Sequence, residues 1–162
     1  MAISLDPVLQ EQKHVLKNLY SLYLHDLSKF TSCLNITSDG IFEMEELNIF
    51  WDTAGFSPFF IKQGEMTIGF VLLLERPFLK GQYDYCINDI FILNKYRGKG
   101  NGINVVKELF EQKKGKYYVI ELVSNESAVS FWKGIYNKMN IKYENSRDLI
   151  DDEECFVQTF QV

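Results

Sequence analysis

The stretch YRGKGNG, Tyr96–Gly102, decides how the rest of this chain is read. It follows Tyr83–Leu93, a run rich in β-branched and aromatic residues that predicts a strand. After it, Ile103, Val106, Leu109 and Phe110 recur at helical spacing, and the helix they trace is expected to stop at Gly115 as its C-terminal cap. A glycine turn between strand and helix can bare successive backbone N–H groups and point the positive end of the helix at the same place. The stretch is therefore a phosphate cradle or a solvated basic turn, and its spacing and surroundings must separate the two.

Three phosphate-binding devices share this layout. The P-loop fails, because no Ser or Thr follows Gly98-Lys99 to meet a metal ion and the first glycine of that motif is missing. The dinucleotide fingerprint G-x-G-x-x-G is matched at Gly98 and Gly100, but its third position is Ile103, with Gly102 one residue early. Glu121 stands where a ribose-binding acid would be sought, yet an antiparallel hairpin precedes the motif and too little chain follows for a second half-sheet. The third device, Arg/Gln-x-x-Gly-x-Gly/Ala, is met by Arg97, Gly100 and Gly102. Lys95, Arg97 and Lys99 would add positive charge around it.

Outward from the loop, PFFIKQ and MTIGFVLLLE read as a hairpin turning at Gly64, and YYVIELV as an inner strand. Ser124 to Lys138 predicts a second helix with Ala128, Phe131, Trp132, Ile135 and Met139 on one side. A turn in DLIDDEE and the strand CFVQTFQV close the chain. At the other end Asp6-Pro7 reads as an N-cap and first turn, opening a helix to about Ser28 through Leu16, Leu19, Tyr23 and Leu27. His14 and His25 fall on it as surface or packing residues. TSCLNITSDG is a polar loop, and IFEMEELNIFWDTAG a short helix or lid. Its Glu43, Glu45 and Glu46 form a solvated edge or, beside Phe50 and Trp51, a place suited to an ammonium group. The order is that of a mixed α/β sheet in one domain, residues 1–162.

Composition agrees. With 162 residues, 46% hydrophobic and 24% charged, the chain can bury a substantial core. No run approaches the ~18 to 20 apolar residues that cross a bilayer, and MAISLDPVLQEQK lacks a signal-peptide pattern, so a cytoplasmic protein away from the membrane is expected. Cys33, Cys86 and Cys155 are odd in number and far apart, with only two His, which predicts reduced structural thiols and no metal site. A net charge of -5 argues against nucleic acid as partner and favours a cationic or neutral small molecule. Against that background Asn94 to Lys107 carries Lys95, Arg97, Lys99 and Lys107 and no acid.

At this point the chain resembles the GNAT acyltransferase superfamily. DIFILNKYRGKGNGINVVKELF is similar to its strand, loop and helix, IELVSNESAVSFWKGI to its next strand and helix, and FFIKQGEMTIGFVLL to the hairpin before them. The resemblance implies a single α+β domain with a mostly antiparallel central sheet flanked by helices on both faces. It implies acetyl-coenzyme A as co-substrate, held by Arg97, Gly98, Lys99, Gly100, Asn101, Gly102 and Ile103, by backbone groups of Phe91, Ile92 and Leu93, and by Asn125, Phe131 and Trp132. An amine of a small molecule or peptide would attack the thioester directly. Asp89, sharing a strand face with Phe91 and Leu93, is the first expectation for the base, with Glu46 and Asp84 behind it. Many relatives place a tyrosine on the second helix to protonate the thiolate. Here Trp132 stands at that position, an indole that donates a hydrogen bond but is no ordinary proton source, and Tyr136 one turn on is the substitute. A coenzyme A-binding module without transfer activity is the alternative. The aromatic last strand could extend a sheet into a homodimer.

Overall fold

A computed structural model describes residues 1–44 and 47–162; Glu45 and Glu46, including the secondary expectation for a base at Glu46, lie outside the described residues. Among the described residues, seven strands form one sheet in the order β1-β2-β3-β4-β5-β7-β6. The strands are β1 (Ile3–Pro7), β2 (Phe56–Gln63), β3 (Met66–Glu75), β4 (Tyr85–Ile92), β5 (Lys116–Leu122), β6 (Tyr143–Ile150) and β7 (Glu153–Gln161). The helices are α1 (Lys13–Leu27), α2 (Ile49–Asp52), α3 (Asn101–Gln112) and α4 (Glu126–Lys138). Every strand pairing is antiparallel except β4 with β5. None of the helices described is long and apolar enough to cross a membrane.

Both sheet faces are covered, as the unbroken apolar run of β3 demands. Phe60, Phe70, Leu72 and Leu74 meet Leu16 of α1 and Phe50 of α2 on one face. Ile61, Val71 and Leu73 meet Val105, Val106 and Leu109 of α3 and Ile135 of α4 on the other. Burying each such Leu or Phe contributes about 1.5–3 kcal/mol, so the two faces together hold β3 and β4 rigid beneath the site.

The chain's opening differs from expectation. Pro7 ends strand β1, paired with Phe59 of β2, and the helix begins at Lys13 after a 3-10 turn, Gln10–Gln12. Asp6-Pro7 carries a helix-start signal, but β1 is an edge strand, where a residue without an N–H loses no ladder bond. The alternation Ile3, Leu5 with Leu5 buried decides the matter in favour of the sheet. Gly115 is also no helix cap: α3 is capped at Lys113, and Gly115 pairs N–H and C=O with Val162. Strand β6, exposed along most of its length, carries too little apolar periodicity to be seen except through its turn.

Candidate functional site

The parallel pair sets the site. β4 and β5 are in register only at Tyr85↔Tyr117 and Cys86↔Tyr118, so from Ile87 onward the two strands part. Leu93 donates its N–H to Ile68 of β3 at 2.8 Å, which by alternation turns the backbone groups of Phe91 and Leu93 toward β3 and those of Ile90 and Ile92 toward the gap. Of the three residues expected to offer outward groups, Ile92 does so. A cleft of about 880 Å³ opens there, bounded by Ile90 to Ile92, the glycine loop, the end of α1 and one side of α4.

The loop geometry separates the glycines by role. Gly98 and Gly100 have φ of 70° and 80°, and a Cβ on either would meet nothing within 4 Å. They are glycines for the backbone turn and the open space over it. Gly100 is the N-cap of α3, so the unpaired N–H groups of the first turn open at this loop. Gly102 serves packing: a Cβ there would lie 2.6 Å from the Phe131 ring, which seats α4 against α3. Asn101 is buried and turns inward, donating to the Tyr96 carbonyl at 2.9 Å and accepting from Gln63, so it shapes the loop. Lys99 is exposed, and Ile103 lines the cleft. Arg97 donates from Nε to the Ile92 carbonyl and from Nη2 to Asp26, both at 2.5 Å, with its guanidinium 5.3 Å from the Phe91 ring.

On α4, Asn125 is the N-cap, its side chain accepting from the Ala128 N–H at 3.2 Å. Phe131 and Trp132 line the cleft edge to face, with centroids 5.2 Å apart. Tyr136 stacks behind Trp132, buried, and its hydroxyl donates to Gln158 Oε1 at 2.8 Å. Burial drives the Tyr136 hydroxyl further from ionising. The structure therefore joins Trp132 to the cleft and keeps the Tyr136 hydroxyl apart from it.

Asp89 lies on the α1 face, two residues before Phe91 and so on the same side of the strand. Leu72 pairs with Asp89 and Leu73 with Ile87, leaving Asn88 as an extra residue, so the bulge brings Asp89 and Cys86 to one face. Its carboxylate is buried and accepts from Tyr20 at 3.0 Å and Asn88 Nδ2 at 2.9 Å. Burial raises its pKa above the ordinary carboxylate value, while hydrogen bonds from Tyr23, Asn88 and Tyr20 pull it back. Tyr23 also lines the cleft, and it is among the groups that favour the Asp89 carboxylate. Asp84 sits at the far end of β4, holding the Lys116 N–H at 2.9 Å, and does not join this group. In the sequence Tyr23 reads only as part of a helix's apolar face, and Tyr20 carries no signal that marks it as a site residue.

Glu121 is a second buried acid, under α4. Among the described residues neither of its carboxylate oxygens has a hydrogen-bond partner, and burial pushes its pKa up to about 7, with Lys133 and Gln158 pulling the other way. The folded chain thus holds a proton that the unfolded chain releases. Stability tied to that proton is full below the ordinary value of 4.5 and lost as pH climbs toward about 7. Glu121→Gln is expected to melt about 3–6 °C above the parent at alkaline pH, from about 1–2 kcal/mol of relieved burial. The gain should vanish in mild acid, which thermal melts across pH will check.

Among solved structures the chain is similar to an acetyltransferase from Thermus thermophilus, at 13% identity and TM-score 0.72 over 99% of this chain and 97% of that one. It is similar to spermidine N-acetyltransferase from Vibrio cholerae in complex with CoA and spermine, at 17% identity and TM-score 0.67 over 98% and 95%. Naa50 from Arabidopsis thaliana, in complex with the bisubstrate analogue CoA-Ac-MVNAL, aligns at 16% identity and TM-score 0.64 over 98% of each chain. At these identities the likeness is one of fold. No curated protein sequence matches. A family model described as Acetyltransferase (GNAT) family matches residues 17–135, from α1 through the parted strands and glycine loop into α4, and the chain belongs to that family.

Proposed function

We propose that this protein moves an acetyl group from acetyl-coenzyme A to a primary amine of a small molecule or peptide, by direct attack. The observation that carries the reading is the cleft where β4 and β5 part, ending at the left-handed glycines of the loop. Its residues fit the co-substrate: the Gly98 to Gly102 turn and the α3 N-terminus suit a diphosphate, and the backbone of Ile90 and the N–H of Ile92 face the gap for amides. The relatives bound to CoA with spermine or a peptide analogue support an amine acceptor.

In this reading the amine nitrogen bonds to the thioester carbonyl carbon as its proton departs, and the carbon–sulfur bond then breaks to release the thiolate. Asp89, reached through the Tyr23 hydroxyl, takes the ammonium proton. A backbone N–H facing the gap would polarise the carbonyl, a contribution of about 3 kcal/mol to the barrier when well aligned.

A second reading, a coenzyme A-binding module without transfer, draws on one observation: the α4 residue at the cleft is Trp132, while the Tyr136 hydroxyl is spent on Gln158. Incubation with acetyl-coenzyme A, a thiol reagent and a panel of amines separates the two. Thiol release with any amine supports transfer. A coenzyme-dependent thermal shift with no release supports the module, and no shift removes both. Tyr136→Phe refines this. It leaves Gln158 Oε1 unpaired and is expected to cost about 1–3 kcal/mol of stability, with turnover changed less than about threefold. A drop of about 100-fold would put that hydroxyl in the chemistry.

A further inference from the structure

Asp26 is out of place on two counts. It lies in the last turn of α1, where the helix carbonyls disfavour a carboxylate, and it lines the same cleft as Gly98 and Gly100, where the proposed ligand carries its diphosphate. Its partner accounts for it. Arg97 donates from Nη2 to Asp26 Oδ2 while Nε holds the Ile92 carbonyl and the guanidinium rests over Phe91. The arginine that opens the glycine turn is thus neutralised by a carboxylate 71 residues away.

The pair is built to exchange. Its side chains are 43% and 37% exposed, and an ion pair so open to water holds its partners weakly. A diphosphate brings more negative charge and more acceptor oxygens to the same planar donor fork. The bond to the Ile92 carbonyl can persist through the change, because it uses Nε and leaves the Nη donors to take another acceptor.

We propose that Asp26 competes with the coenzyme's diphosphate for Arg97, so that Asp26 sets the affinity of the cleft by masking its guanidinium. The proposal rests on the coenzyme reading above. It makes Asp26 an affinity-determining residue held at a place where stability alone would not put it.

Calorimetry with acetyl-coenzyme A on the parent, Asp26→Ala, Arg97→Gln and the double variant tests it. Asp26→Ala is expected to bind about three- to tenfold more tightly, the gain shrinking at high ionic strength, as removal of one partly screened charge implies. Arg97→Gln should cost more affinity in the Asp26→Ala background than in the parent, because only there is the guanidinium unmasked beforehand. Melting temperature should move little. An equal cost in both backgrounds reduces Asp26 to simple repulsion and overturns the exchange. Weaker binding by Asp26→Ala overturns it too, making Asp26 a prop that orients Arg97. Absence of binding by all four proteins overturns the coenzyme reading, and the exchange with it.

Discussion

Gly100→Val should all but abolish uptake of acetyl-coenzyme A, raising its Kd by about 100-fold or more, while the protein stays folded. The glycine holds φ 80° and ψ 0° at the cap of α3, a backbone state that costs an L-residue about 1–2 kcal/mol and a β-branched one more. A Cβ there meets no atom of the protein within 4 Å, so a valine's bulk is expected to enter the open space over the loop, where the proposed diphosphate would sit. Relaxing the strain turns the N–H groups of the first α3 turn aside; keeping it leaves them covered. Either way one or two hydrogen bonds to a charged oxygen are lost, each contributing about 1.5–3 kcal/mol. The control is Gly81→Val. Gly81 has φ 82° and equally open surroundings, but stands in the turn before β4. It carries the same backbone cost without the ligand. Calorimetry and melting curves on both proteins distinguish lost binding from lost stability, and equal binding by Gly100→Val would remove the loop from the site.

That contrast also marks what a sequence reading can and cannot reach. Strands β2 to β5 and helices α3 and α4 were legible because their signals are local: apolar, β-branched and aromatic runs, a helical stripe, a glycine turn. Pro7 misled because its meaning depends on whether a neighbouring strand exists, and β1 exists only by pairing with β2 far along the chain. Gly102 reads in the sequence as a bared amide beside Gly100; it stands in the first turn of α3, and its missing Cβ also makes room for Phe131, a contact between two helices. Arg97 looked like a free cation, and only the fold shows Asp26 closing on it. Asp89 was placed on the correct face by alternation with Phe91 and Leu93, while the Asn88 bulge and the donor Tyr20, 69 residues away, are matters of tertiary packing.

Asp89→Asn is expected to lower kcat/KM for amine acetylation by about 10²- to 10⁴-fold, the usual contribution of a positioned base, with coenzyme binding unchanged. Asn retains an acceptor for Tyr20, so the bulge and its tie to α1 survive the change. The pH profile carries the decisive sign. Burial raises the Asp89 pKa, and the base works only as the carboxylate, so the parent's rate should rise as pH passes through that raised value. Asp89→Asn should lose this limb and follow only deprotonation of the amine itself. Tyr20→Phe should move the limb to higher pH, because it deletes a hydrogen bond that favours the charged form. Stability runs the other way: the folded chain holds the Asp89 proton more tightly than the unfolded chain. The stability linked to that proton is full below the ordinary value of 3.8 and lost as pH rises through the folded value. Asp89→Asn should therefore match the parent's melting temperature in acid and exceed it at alkaline pH. A variant rate within about threefold of the parent, with the limb intact, would show that the proton leaves by another route. Asp89 would then be the anchor that the Tyr20 hydroxyl uses to pin the β4 bulge beneath α1.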